Sequence, residues 1–401
     1  MQHALRTRQW NALKNADSTN VKNSIPTKHK ATQDDSTKDG PPRPKRAALG
    51  EITEALSSTL IDSSKKTNAG QSQEIKIETA TTVRLAPLAE HEYTEKLEIA
   101  DESAFDFDKE NNGDPYAVSD FVRDIFQYYK HREAKFQVGD YFCTKTFFTN
   151  ELRAKLVNWL IEVQETFELN HETLYLSVKL MDMYFARVTK LEKSAVLLVA
   201  CTAIFVASKM EERQVPGIDD LIHMTRLQEP SSRYTTRLMK AMERDFLRTV
   251  GYDLGAPLSY SFLRRYSRVC GMGMASLTQA RYFLEQSLHF LDFCRVSDSR
   301  LAAAALLLAL RVTDSGDWVE NSTLEKCTGY KLEDVEPIMW CLNHMSRRFS
   351  AVLPRARTVL EKYSHKVFYE VAKMPLLRDC RGERNARKPS IEVPPELQFK
   401  V

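Results

Sequence analysis

Two short stretches decide what this chain can fold into. Ser194 to Ser208 reads SAVLLVACTAIFVAS, and Leu301 to Leu310 reads LAAAALLLAL. Both are apolar on every side and rich in small residues. A helix that is apolar all round must be buried, and small side chains let neighbours approach from every direction. The first stretch, bounded by Lys193 and Lys209, is too short for a membrane span, which needs about 20 residues. We read each stretch as the central helix of its own helical unit.

The flanking periodicity supports this. A first helix is expected over Pro115 to Arg132, with Phe121, Val122, Ile125, Phe126 and Tyr129 on one stripe. The next covers Asn150 to Glu168, where Leu152, Leu156, Trp159, Leu160 and Val163 recur at helical spacing, and Thr149 or Asn150 can cap it. Helices then follow at Glu172–Ala186, Lys193–Glu212, Ile218–Met224 and Ser232–Val250, the last stopped by Gly251. Pro257 marks a boundary. A second set covers Ser259–Cys270, Thr278–Cys294, Asp298–Thr313, Ser322–Cys327 and Glu333–Phe349. No useful strand alternation occurs. The expected fold class is all-α, with two tandem five-helix repeats, a preceding helix, and a trailing helix that closes the second unit.

The ends differ in texture. Residues 1–112 are polar, lack cysteine and show no sustained apolar period, so they cannot offset the entropy of ordering and are expected to be a disordered tail. The first residues, Met1 to Trp10, lack the apolar run of a secretory signal. Residues 378–401 are expected to be a flexible tail. The expected units are therefore 1–112, 113–256, 257–377 and 378–401. The seven cysteines form no CxxC pair and read as reduced thiols in a cytosolic or nuclear protein. A net charge of +3 gives no basis for nucleic-acid binding, and no membrane association is expected.

Catalytic signals are absent. Gly271-Met272-Gly273 follows no strand, and His171-Glu172 is not continued to a second histidine. Cys341 and His344 lack further metal ligands. Asp106, Asp108 and Glu110 lack a glycine at the calcium-loop position, Gly113 coming too late. There is no Walker, GxSxG or kinase signature. We expect no enzyme, no metal and no cofactor.

Three motifs in order are more specific. Leu152-Arg153-Ala154-Lys155-Leu156-Val157-Asn158-Trp159-Leu160-Ile161-Glu162-Val163 resembles the helix that opens the cyclin box. Ala207-Ser208-Lys209-Met210-Glu211-Glu212 resembles the end of its third helix. Met242-Glu243, then Gly251-Tyr252-Asp253-Leu254 and Ala256-Pro257, resemble the end of the first box and its linker. The resemblance covers roughly residues 114 to 375. It is nearer to B-type than A-type cyclins at Pro257-Leu258-Ser259 and Phe262-Leu263-Arg264-Arg265, and similar to the third B subtype at Lys362-Tyr363-Ser364-His365 and Glu370-Val371-Ala372-Lys373. An A-type cyclin of S phase and G2 is the runner-up. A cyclin-fold transcription factor, the rival from another class, usually has a zinc ribbon ahead of the repeats.

The resemblance implies a non-catalytic subunit that forms a heterodimer with a mitotic cyclin-dependent Ser/Thr kinase and activates it by holding its glutamate-bearing helix inward. It assigns Lys209 and Glu243 to the ends of that kinase helix, with Met210, Leu247 and Tyr252 beside them and Ile125 and Tyr128 from the preceding helix. It matches Glu212 to a partner for a kinase arginine. It also matches Arg153 and Asp182 to a structural ion pair, and Leu152, Leu156, Trp159 and Glu162 to a substrate-docking groove. Lys155 and Asn158 depart from the family there, and a lysine should repel an arginine-bearing docking segment.

In the tail, Arg46, Leu49 and Ile52 resemble a destruction box with Thr53 at its variant end. Lys109-Glu110-Asn111 spells a KEN box. Both imply a ubiquitin ligase of the anaphase-promoting type as a second partner. Pro41 to Arg46 reads as a nuclear-import patch, so a nuclear location with some cytoplasmic protein is expected. No Ser-Pro or Thr-Pro occurs.

Overall fold

Threonine caps open two of the helices expected above. The Thr149 hydroxyl accepts the Leu152 N–H at 3.2 Å, and the Thr235 hydroxyl accepts the Leu238 N–H at 3.2 Å, each satisfying an otherwise unpaired donor of a first turn. The computed structural model describes residues 118–139, 147–318 and 322–378, together with Asp108, Gly113, Asp114, Tyr141 and Phe142. The expected tail apart from Asp108, with its destruction box and KEN box, and residues 379–401 lie outside the described residues.

The helices are α1 (Val122–Glu133), α2 (Asn150–Thr166), α3 (His171–Arg187), α4 (Val196–Glu211), α5 (Ile218–Gln228), α6 (Thr236–Val250), α7 (Ser259–Val269), α8 (Met274–Ser287), α9 (Asp298–Val312), α10 (Ser322–Thr328), α11 (Leu332–Val352) and α12 (Thr358–Tyr363). Among the described residues there is no strand. The all-α expectation and the two repeats hold.

The two small apolar stretches form α4 and α9. Every residue from Val196 to Ser208 is buried, and so is every residue from Leu301 to Leu310. Helix α4 packs against α2, α3, α5 and α6, and α9 against α7, α8 and α11. The stretch Lys193–Glu211 is long and apolar enough to cross a membrane, but 72% of its most apolar window is buried inside the protein, as a central helix requires. Cys201 and Cys341 are buried, and Cys270, Cys294 and Cys327 are half-buried; all five are free thiols.

Several boundaries differ from the sequence expectation. Helix α1 starts at Val122 rather than Pro115. Val118 has φ of 50°, a left-handed conformation that a right-handed helix cannot include, and Phe121 ends up 61% exposed rather than on a buried stripe. Helix α6 starts at Thr236 rather than Ser232, because Thr235 is extended. Helix α5 runs on to Gln228. The largest difference is α8: it opens at Met274 and stops at Ser287, and the apolar run beyond it becomes a separate 3-10 turn, Leu291–Arg295.

The repeats are joined by charged and polar groups buried at their seam. Helix α7 packs on α3, and α12 packs on both α2 and α8. The Lys362 ammonium, on α12, donates to Gln164 Oε1 and Glu285 Oε1, each at 2.8 Å. The Tyr363 hydroxyl donates to the other Glu285 oxygen at 2.8 Å. Lys362 and Glu285 are almost fully buried, and a buried charge in this state is tolerable only because it is paired and bonded.

Candidate partner-binding face

Helix α6 has one buried face, Met239, Met242, Phe246 and Val250, which leaves Glu243 and Leu247 on its flank. Glu243 therefore meets the last turn of α4, where Lys209 Nζ lies 2.5 Å from Glu243 Oε1 and 4.1 Å from the centre of the Phe205 ring. The lysine remains 42% exposed. The next residue, Met210, is 52% exposed. A charge pair beside an unburied apolar side chain is a combination suited to a partner surface.

The chain leaves α6 through two left-handed residues, Gly251 at φ 92° and Tyr252 at φ 62°. Both backbone N–H groups donate to the Leu247 carbonyl, at 3.0 and 3.1 Å. This turn throws the Tyr252 ring outward, 65% exposed. Asp253 then pairs with Arg132, and with Lys135 at 2.7 Å. Partial burial works against the Asp253 carboxylate, but Lys135 and Arg132 together hold it below the usual carboxylate range. Arg132 also donates to the Gly255 carbonyl at 2.9 Å and to the Tyr128 hydroxyl at 3.1 Å. Tyr128 is 53% exposed, and Ile125 is half-buried on the same helix. Lys209 and Glu243 pair at one end of this face, and at the other the turn from Leu247 to Asp253 is tied through Arg132 to Tyr128.

Glu212 has an internal role. Its carboxylate accepts the Asn170 N–H at 2.7 Å, the Asn170 side-chain amide at 2.8 Å and the Thr173 hydroxyl. It caps the start of α3, where negative charge is favoured by the helix dipole, and where the Asn170 side chain makes no cap of its own. A partner arginine would have to share these oxygens.

Arg153 and Asp182 form the ion pair expected from the sequence. Arg153 Nε donates to Asp182 Oδ1 at 2.8 Å and Nη2 to Oδ2 at 2.6 Å, with both side chains at most 1% exposed. Burial alone would lower the Arg153 pKa, but the Asp182 carboxylate raises it well above its ordinary value. Tyr141 donates to the same carboxylate at 2.7 Å. The pair also reaches the second repeat, because Arg153 Nη1 donates to the Leu288 carbonyl at 2.8 Å.

The expected docking groove is different from the expectation of an exposed edge. Leu152 and Glu162 are half-buried, but Leu156 is only 4% and Trp159 only 1% exposed. Both belong to the hydrophobic core, and α12 lies along another side of α2, where the Thr358 N–H donates to Asn158 Oδ1 and its hydroxyl to Glu162 Oε1, both at 3.2 Å. Lys155 stays exposed.

Sequence reading missed Glu133, Arg132 and Asp253, which fasten α1 to the rest of the chain, and the Lys362–Glu285 pair. Their partners lie far away in sequence. The one local hint was the run of charges at the end of α1.

Comparisons with known proteins agree with this arrangement. Residues 124–255 match the family described as cyclin, N-terminal domain, and residues 257–377 match cyclin, C-terminal domain. The chain is 40% identical to the G2/mitotic-specific cyclin-B3 of Caenorhabditis elegans over 82% of its own length and 83% of that protein's. It is 45% identical to the Drosophila melanogaster protein of the same name over 69% of this chain and 47% of that one, and 41% identical to the Gallus gallus protein over 67% and 64%. This chain thus corresponds to most of the nematode relative but to less than two thirds of the fly and chicken ones. With both halves of its helical fold matched and the relatives agreeing on the B-type, mitotic branch, the chain belongs to the cyclin family, whose members are non-catalytic regulatory subunits.

Proposed function

We propose that this chain binds and activates a mitotic cyclin-dependent Ser/Thr kinase, and that the face from Lys209 and Glu243 to Tyr128 is where the kinase docks. The observation that carries this is the pairing of Lys209 with Glu243 next to exposed Met210, Tyr252 and Tyr128. These two charges, with donor and acceptor atoms on a partly solvated edge, fit the two ends of a kinase helix, the positive one near its carboxyl end and the negative one near its amino end. The rim charges set register, and the apolar side chains between them supply buried area. Holding the kinase helix inward completes the kinase's own Lys–Glu pair.

The chain also selects substrates and is destroyed through a ubiquitin ligase of the anaphase-promoting type. Support comes from Arg46, Leu49 and Ile52 and from Lys109, Glu110 and Asn111; the basic run from Pro41 to Arg46 supports a nuclear location. Substrate docking on α2 would take a form other than an arginine-led segment in an open groove, since Lys155 is exposed there and Trp159 is covered.

The test is titration of a purified mitotic cyclin-dependent kinase with the full chain, followed by histone phosphorylation and gel filtration. A one-to-one complex with activated kinase supports the reading. A chain that neither co-elutes with nor activates the kinase overturns it. For the tail, the chain lacking residues 1–112 should activate the kinase and persist through mitotic exit; degradation on the normal schedule would refute the degron assignment.

A further inference from the structure

Helix α1 is held in an unusual way. Of its twelve residues the only buried one is a glutamate, Glu133. Its apolar contacts are few: Phe126 and Tyr129 meet the edge of Phe262, on α7 of the second repeat, at centroid distances of 5.8 and 6.4 Å. The remaining fastening is polar. The two Glu133 carboxylate oxygens divide between the Ser299 N–H at 2.9 Å and the Ser299 hydroxyl at 2.7 Å. Ser299 lies in the first turn of α9, the central helix of the second repeat, and its oxygen is also 2.6 Å from the Tyr330 hydroxyl. Lys130 rests 4.5 Å from the centre of the Tyr330 ring and donates to the Thr328 carbonyl. Burial pushes the Glu133 carboxyl above its ordinary value, and the two Ser299 donors pull it partly back.

A carboxylate at 6% exposure costs free energy unless it is well bonded, so its bonds must matter to where α1 sits. We infer that Glu133 is a positioning residue: by capping α9 it clamps α1 onto the second repeat, and so presents Ile125 and Tyr128 in the register a partner kinase reads. The second repeat thereby contributes to kinase binding through α1. This rests on the kinase-binding reading proposed above. Its own content is that α1 is preorganised by Glu133, and preorganisation lowers the ordering cost of binding. Arg132 cannot substitute for the clamp, because it ties the helix to the linker at Gly255 rather than to α9.

The experiment uses the full chain as wild type, Glu133→Ala, Glu133→Gln, Tyr128→Ala and the Tyr128→Ala/Glu133→Ala double variant. Backbone hydrogen exchange is read on the free proteins, and kinase activation is titrated with each. Expected for Glu133→Ala is at least tenfold faster exchange across α1, with α4 and α9 unchanged. Its half-activating concentration should rise about tenfold, equivalent to about 1.4 kcal/mol, with the loss falling on that concentration rather than on the maximal rate. Glu133→Gln, whose amide oxygen can still accept the Ser299 N–H, should recover much of both. The double variant should be less impaired than the product of the two single losses, as residues acting through one element must be.

Faster α1 exchange with an unchanged half-activating concentration would overturn the inference while leaving the kinase reading intact. So would full additivity with Tyr128→Ala. If Glu133→Ala fails to fold, Glu133→Gln decides: exchange and half-activating concentration that move together, both near wild type or both raised, support the inference, and a change in one without the other overturns it. A wild-type chain that does not bind the kinase overturns the parent reading and this one together, whatever the exchange shows.

Discussion

Replacing Arg153 by alanine removes the centre of a buried polar cluster in the first repeat. The guanidinium makes two bonds to Asp182 and one to the Leu288 carbonyl. After the change Asp182, 1% exposed, keeps only the Tyr141 hydroxyl and the Cys294 thiol, 3.5 Å away, as donors. Breaking a buried pair from one side costs about 3–5 kcal/mol, a large share of the roughly 5–15 kcal/mol that holds a domain. A domain of this size loses about 2–4 °C of melting temperature per kcal/mol, so a drop of about 6–20 °C is expected. The loss should be largest at neutral pH and smaller near pH 5, because a stranded buried carboxylate escapes its cost by taking a proton. Replacing Asp182 by leucine in the same chain should restore part of the stability. Urea unfolding at pH 5 and pH 8, followed by circular dichroism, measures all of this. A loss below about 1 kcal/mol, or one equal at both pH values, would refute the reasoning that the pair is desolvated and uncompensated.

Other outcomes follow from the same geometry. Burial, opposed only in part by the bond between its ring nitrogen and the Gln286 carbonyl, pushes His289 down from 6.5 to about 4. The folded state therefore resists protonation that the unfolded chain accepts, and stability present above about pH 6.5 should fall by about 3 kcal/mol as pH drops toward 4; His289→Leu should flatten that slope by one proton, and an unchanged slope would contradict the assignment. Ala303 sits fully buried in α9, so Ala303→Leu should destabilise by about 1–3 kcal/mol or more through overpacking, read as a lower urea midpoint at unchanged slope. Removing the Thr149 cap with Thr149→Ala should cost about 1 kcal/mol; no change would show that α2 is fixed by packing alone.

The two central helices were legible because a small-residue apolar run has one stable use in a helical protein, and α4 and α9 occupy it. Lys209 and Glu243 were legible only through motif resemblance; their composition gives no reason to meet. The end of α8 was not legible, because Leu288, Leu291 and Phe293 continue the apolar pattern while the backbone turns away at Ser287. Burial of charge was the main blind spot. Glu133 looks like a solvated glutamate at the end of a polar helix, yet it caps a helix more than 150 residues away. Trp159, matched by resemblance to an exposed groove, is fully covered. Periodicity reports which face of a helix is apolar; it cannot report what a distant segment, such as Thr358, places over the other face.

The most direct test of the central claim inverts the paired charges on the proposed kinase face. In the Lys209→Glu/Glu243→Lys double variant the internal pair at 2.5 Å can re-form with reversed signs, so circular dichroism and melting temperature should match the wild type. A kinase helix would meet the wrong charge at each end. Measured beside the wild type against a purified mitotic cyclin-dependent kinase, the folded variant should bind at least tenfold more weakly and leave the kinase inactive. Equal binding and activation by the folded variant would contradict the account and move the partner surface elsewhere on the molecule.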